Sequence, residues 1–251
     1  MSEEITVLVF KSNDTKKQNP RNKPGNFTIK FTPEMLLESN KQYYLALHHL
    51  SMTASWHNIR PEYGNNKLKI SQDKGKTFET ITFPSGVYDY EDINNFIHER
   101  IRKIGDAKNY GINTLFDFTT FKVFIKLSEN CEIDFNGSGG FNILLGFTKE
   151  LLKTSAYGVN FPNISNSIDN LYLRCSLLSD SIISGKRSNV LYTFSTNIKT
   201  RSLPFEIQPK HYLWNKVNTK HISEVTFYIT DDEDREVDLN DIDISLTVVM
   251  K

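Results

Sequence analysis

The chain has 251 residues, enough for one large β domain or two smaller ones. Thirty Lys and Arg balance thirty Asp and Glu, so the basic excess of a duplex-binding domain is missing and direct nucleic-acid binding is not expected. Hydrophobic residues are 38% and aromatic ones 12%, an aromatic-rich core that favours strands over helices.

In chain order, the acidic start MSEEITVLVF lacks the basic and apolar regions of a signal peptide. No stretch approaches the ~18 apolar residues of a membrane span, so no membrane is expected as a partner. Ile5 to Phe10 reads as a strand, with Ile5, Val7 and Val9 on one face. Lys11 to Asn26, with two prolines and several lysines, reads as a long exposed loop. Phe27, Ile29 and Phe31 alternate with polar residues, a half-buried strand. Thr32-Pro33-Glu34 then predicts a short helical turn through Leu37, with Thr as cap and Pro at the first helical position.

Gln42 to Trp56 is a long strand segment. Lys67 to Ile70 and Thr77 to Phe83 form an expected hairpin. The one amphipathic helix is expected at about 90–104. Asp89 caps it, Glu91 and Asp92 suit its positive end, and Ile93, Phe96, Ile97, Ile101 and Ile104 recur at three and four residues. Gly105 is expected to stop it. Strands follow at Thr114 to Phe118, Phe121 to Leu127 and Cys131 to Phe135. Asn136 to Gly140 reads as a flexible turn, and Phe141 to Phe147 as a helical turn ending at Gly146. Tyr157 to Ser167, rich in Asn, Ser, Gly and Pro, is the best internal boundary. Beyond it, strands are expected at Leu171 to Leu178, Val190 to Ser195, Leu203 to Ile207, Ser223 to Thr230 and Ile242 to Met250.

Short strands with turn signals at this spacing predict an all-β jelly roll or β-sandwich with one amphipathic helix and short helical turns. The expected division is an N-terminal β-sandwich segment, 1–156, and a C-terminal β segment, 157–251. The second has few strands for a sandwich of its own and could share one core with the first.

No catalytic constellation emerges, and no cofactor or metal is expected. His48 and His49 are neighbours in a strand and point to opposite faces. His57, His98, His211 and His221 show no metal-ligand spacing. Cys131 lies between acids that would raise a thiol pKa, and with Cys175 it is too little for a disulfide scaffold. Asn-x-Ser/Thr triplets at Asn13, Asn26, Asn136 and Asn163 are expected by chance in so Asn-rich a chain. The run Asp231 to Asp238 lacks the glycine of a calcium loop and reads first as a solvated hairpin tip. It also has an interfacial reading. Lys16, Lys17, Arg21 and Lys23 form a basic segment, and Asp231, Asp232, Glu233 and Asp234 an acidic one, which could meet across a subunit contact. Trp56 and Trp214 are either core or exposed platforms.

Four segments carry a family resemblance. Tyr43 to Ile59 reads YYLALHHLSMTASWHNI, and Phe83 to Ile104 reads FPSGVYDYEDINNFIHERIRKI. Leu144-Leu145-Gly146-Phe147 follows, and the end pairs Val225 to Ile229 with Val237-Asp238-Leu239 and Ile244 to Val248. In order and spacing they resemble structural proteins of Polinton (Maverick) elements and adintovirus-like viruses, although Tyr88-Asp89 stands where Tyr-Thr or Tyr-Ser is usual. The resemblance implies a minor capsid, penton-like jelly-roll protein of the virion, in host cytoplasm or nucleus during assembly. It implies self-association, a pentamer by the penton analogy, and contact with a major capsid protein. It carries over no catalytic residue, and the chain is not expected to be an enzyme. The rival expectation is a glycan- or receptor-binding β-sandwich, such as a spike or fibre component.

Overall fold

The apolar alternation along the first strands becomes one wall of a buried core. Phe27 and Ile29 turn inward beside Leu45, Leu47, Leu50, Val225, Phe227, Ile229, Leu246 and Val248. Full burial of each such side chain stabilises the fold by about 2 kcal/mol relative to exposure. The computed structural model describes residues 5–104, 111–166, 168–195 and 203–251.

The first strands are β1 (Thr6–Lys11), β2 (Asn26–Leu36) and β3 (Tyr44–Thr53). A second group comprises β4 (Lys67–Ser71), β5 (Glu79–Thr82), β6 (Ile112–Asp117), β7 (Lys122–Leu127), β8 (Glu132–Asp134), β9 (Leu151–Leu152) and β10 (Ala156–Tyr157). The chain ends with β11 (Asn170–Cys175), β12 (Ser181–Ile183), β13 (Lys186–Ser188), β14 (Val190–Ser195), β15 (Pro204–Ile207), β16 (Asn215–Lys216), β17 (His221–Thr230) and β18 (Ser245–Met250). The helices are α1 (Ser12–Gln18), α2 (Tyr90–Ile104) and α3 (Phe141–Leu145).

Two compact units result. Unit 1 joins Met1–Trp56 to Ile168–Lys251, and unit 2 is His57–Ser167. The expected cut between 156 and 157 therefore matches neither bound. The chain's two ends share one core because β1, β2 and β3 pair with strands from the last third of the sequence. The Asn-rich stretch before Ile168 lies at one junction. The other, at Trp56, has no breaker to announce it.

Unit 1 is built from two antiparallel sheets. One runs β1-β18-β3-β15, with β16 also on β3; the other runs β14-β11-β17-β2. Counting the eight principal strands in chain order, these sheets are 1-8-3-6 and 5-4-7-2. That is the wiring of a jelly roll, in which the first and last strands pair in one sheet. Unit 2 is inserted in the connection from the third strand to the fourth. It has sheets β5-β4-β8-β9 and β10-β7-β6 around its own core of Ile59, Leu68, Ile93, Ile97, Phe83, Phe135 and Phe141.

Helix α2 forms as the periodicity predicts. Asp89 Oδ1 accepts the Asp92 N–H at 2.8 Å, and Asp92 Oδ2 accepts the Asp89 N–H at 2.9 Å, a reciprocal cap. Ile93, Ile97 and Ile101 are buried; Gly105 lies outside the described residues.

Three local expectations are corrected. Lys11 to Asn26 is not simply an exposed loop. It contains α1, whose Ser12 hydroxyl donates to Asp243 at 2.8 Å, and Asn22, whose amide donates to the Thr15 and Thr28 carbonyls. Those tertiary partners leave no periodic signal in the local sequence. Thr32 to Leu36 is strand rather than helical turn: β2 runs on to Leu36, paired with His221. Cross-strand bonding to β17 overrides the Thr-Pro-Glu start signal. Asn136 to Gly140 is pinned. Ser138 is fully buried, its hydroxyl donating to the Asp134 carbonyl at 2.6 Å and accepting the Lys69 N–H at 3.0 Å.

Candidate functional site

The sequence motifs turn out to be joints of the fold. In Trp56-His57-Asn58-Ile59, Trp56 is buried in the first core and Ile59 in the second. Asn58 is buried between them in sequence. Its amide donates to the Tyr88 and Ile164 carbonyls at 2.8 and 2.6 Å, and its oxygen accepts the Tyr88 N–H at 2.8 Å. In Pro84-Ser85-Gly86-Val87-Tyr88, the Tyr88 hydroxyl donates to the Pro84 carbonyl, folding its ring over Gly86. A Cβ on Gly86 would sit 2.8 Å from that ring. Leu144, Leu145 and Phe147 are buried around Gly146, whose φ of 75° reverses the chain after α3. None of these residues is arranged for chemistry.

The histidines are dispersed. His48 Nδ1 lies 2.7 Å from the Tyr212 hydroxyl, His49 lies 3.5 Å from Glu206, His98 donates to the Ile112 carbonyl, and His221 pairs with Glu34. Among the described residues no group of three or more His, Cys, Asp or Glu is placed to hold a metal ion. Both cysteines are free and buried; burial pushes the Cys175 thiol up to about 12, so it is protonated at neutral pH. Trp56 belongs to the core. Trp214 is half-buried against Tyr212, with the Lys251 ammonium 4.7 Å from its ring centroid.

The acidic run is anchored at its first residue, while Asp232, Glu233 and Asp234 lie at the surface. Asp231 is 1% exposed. It accepts the backbone N–H groups of Glu233 and Arg235, each at 2.9 Å, and pairs with the Arg235 guanidinium at 2.7 Å. Asp232 accepts the N–H groups of Asp169 and Asn170, the Asn170 amide and the Tyr172 hydroxyl. Desolvation raises its pKa, but these donors outweigh it and hold the carboxyl below the usual range. Asp234 pairs with Arg174, a buried guanidinium that also donates to Thr230 and Ser188 at 2.8 Å. Glu233 lies 3.4 Å from Arg235. The three aspartates thus point to three different partners.

Asp231, Asp232, Asp234, Tyr172 and Arg174 line a cleft of about 550 Å³ in unit 1. Arg174 and Asp234 are among its lining residues, and the β12–β13 hairpin borders it with exposed Lys186 and Arg187.

Of the basic segment, Lys16 lies 3.8 Å from Asp241 and 4.0 Å from Asp243 of its own chain. Lys17, Arg21 and Lys23 are exposed. The structure thus uses Asp231 internally and pairs Lys16 with Asp241 and Asp243, which lie beyond the Asp231 to Asp234 segment.

No protein-family model matches the sequence, and no curated protein matches it. Among solved structures, the chain is similar to the mavirus penton protein, at 12% identity, over 99% of each chain and with a TM-score of 0.52. At that identity the likeness is one of fold. It spans both units, and the all-β jelly-roll class expected from the sequence is the class found.

Proposed function

We propose that this chain is a structural subunit of a viral capsid, of the penton type, acting in the virion. One observation carries the reading: the fold likeness to the mavirus penton protein extends over the jelly roll and the inserted unit together. The rest is consistent with it. Among the described residues the polar networks tie turns to neighbouring strands, which suits a shell component.

In this reading the chain self-associates into a closed ring, a pentamer by analogy, and contacts a major capsid protein around it. Lys17, Arg21, Lys23 and Glu233, all exposed, are the candidates from the two charged segments for ion pairs in such contacts.

Light scattering of the purified chain across concentration and salt tests the proposal. The expected result is a particle of five chains, or larger assemblies. A strict monomer under every condition would overturn intrinsic self-assembly. Saturable binding of that monomer on a glycan array would put a recognition module in its place.

A further inference from the structure

A strand at the edge of a sheet leaves every second backbone N–H and C=O without a strand partner. Proteins ordinarily blunt such edges with proline, charge or a covering side chain. The two main sheets of unit 1 end in β1, β15, β14 and β2, and three of these edges are blunted. On β2, the Asn22 side chain donates to the Thr28 carbonyl at 2.8 Å and accepts the Thr28 N–H at 3.1 Å, and the Gln18 side-chain oxygen accepts the Lys30 N–H at 3.3 Å. Exposed Pro33 and Glu34 follow. On β15, Pro204 and Glu206 are exposed. On β14, the Ser181 hydroxyl donates to the Val190 carbonyl at 2.6 Å, and the Asn215 amide to the Leu191 carbonyl at 3.2 Å.

The fourth edge, β1, has none of these devices. It pairs with β18 in an unbroken register from Thr6 opposite Met250 to Lys11 opposite Ser245. One step further, the Ser12 N–H donates to the Ile244 carbonyl at 3.0 Å. Antiparallel neighbours alternate between bonded and non-bonded pairs, so the even-numbered residues of β1 bond to β18. The N–H and C=O groups of Val7, Val9 and Lys11 therefore face the open edge, and among the described residues nothing bonds to them. The side chains repeat the pattern. Phe10 is buried in the core and Leu8 packs against it, whereas Ile5, Val7 and Val9 share the other face at 49%, 57% and 59% exposure. All three are β-branched, the shape that packs best beside a neighbouring strand.

This edge is chemically selective. Its free donors and acceptors recur about every 7 Å, a repeat that an extended polypeptide matches and a lipid or compact ligand does not. The chain itself contains a strand that fits, because β1 is complementary to its own copy. Run two copies of β1 antiparallel, with Val7 of each opposite Val9 of the other, and outward-facing backbone groups meet outward-facing ones. The two apolar rows then adjoin, and Lys11 stands opposite Ile5 rather than another lysine. The two β1-β18-β3-β15 paths become one sheet whose width stays within the usual range.

We infer that the open edge of β1, centred on Val7 and Val9, is where a second copy of this chain adds its own β1 about a two-fold axis. Such a contact joins chains in pairs and does not repeat around a ring, so it goes beyond the capsid reading and does not rest on it.

Sedimentation velocity over a range of concentration compares the wild type with Val9→Lys and Val9→Pro. The Val9 N–H faces outward, so neither change removes a bond to β18, and circular dichroism verifies the fold; Val9→Lys carries the test if the proline variant misfolds. Each variant is expected to raise the concentration for half-association about tenfold or more. A second measurement places a spin label at Lys11→Cys, Cys131 and Cys175 being buried. Two-fold pairing sets the two labelled Cα atoms about 20 Å apart. Dipolar coupling at that distance, lost on adding Val9→Lys, is the expected result, and dimers that show it without forming rings support the pairing alone. Rings that form equally well with Val9→Lys and show no such coupling overturn the pairing and leave the capsid reading standing. A wild type that is monomeric throughout overturns both the pairing and intrinsic self-assembly.

Discussion

Two turns of this molecule share a device and use it oppositely. In unit 1, Asp231 binds the backbone of the turn that follows it, and Asp234 completes that turn at φ 60°. In unit 2, Asp117 binds the backbone of its own turn, and Phe121 completes it at φ 54°. The first turn buries Asp231 against Arg235 and ties the surface carboxylates of Asp234 and Asp232 back to Arg174 and the start of β11. The second directs its rings outward. An acidic cluster in a sequence is therefore not by itself surface charge, and phenylalanines in a sequence are not by themselves core. The difference between the turns lies in their neighbours: a buried guanidinium beside one, and beside the other only the edge contact of Phe116 with Phe118, which leaves Phe118 80% and Phe121 61% exposed.

Breaking the inward turn is expected to have the largest effect. Asp231→Ala removes two backbone acceptor contacts and leaves Arg235 without its buried partner, and should cost about 3 kcal/mol in urea unfolding. A loss below about 0.5 kcal/mol would mean that the carboxylate is not the centre of the turn.

Glycine at the left-handed position sharpens the contrast. Phe121→Gly relieves backbone strain and deletes only an exposed ring, so the monomer should gain about 0.5 kcal/mol. Asp234→Gly relieves the same strain but leaves the buried Arg174 without its carboxylate, so it should lose about 1 kcal/mol. Thermal unfolding of the two variants should show opposite signs. Equal signs would deny the distinction.

The smallest effect concerns acid. The Thr119 N–H and the Thr120 hydroxyl lower the Asp117 pKa from its ordinary 3.8. A depressed folded-state pKa means that its contribution is fully present above the unfolded value and is lost as pH falls through the folded one. Following the Asp117 carboxyl carbon by NMR, the titration midpoint should lie below that of a peptide spanning the same turn. A midpoint at or above the peptide's would show that the hydrogen bonds do not hold the turn in solution.

Much of the fold was legible in the sequence where neighbours along the chain decide it. The α2 helix needs only Asp89 and the spacing of its isoleucines, both local. The alternation at Phe27, Ile29 and Phe31 marks an inward face whichever strand lies beside it. The Leu144 to Phe147 element needs only Gly146 to turn the chain. Local periodicity, capping and turn chemistry act over a few residues, so they survive in the bare sequence.

Tertiary structure decided the rest. The two units could not be read because β1 finds its partner in β18, at the far end of the chain, and nothing at Trp56 marks where the insertion begins. The stretch around Pro33 is strand because Met35 and Leu36 beyond it pair with Ile222 and His221 of β17. Asp231 is buried because Arg235 and the turn itself supply its donors, whereas Lys17 and Glu233, as plausible or as ordinary in the sequence, remain at the surface. The exposure of Phe118 and Phe121 was equally hidden, since a phenylalanine in a strand-rich chain reads as core. Burial is a property of what packs on a side chain from elsewhere in the chain, and that is fixed only when the sheets close.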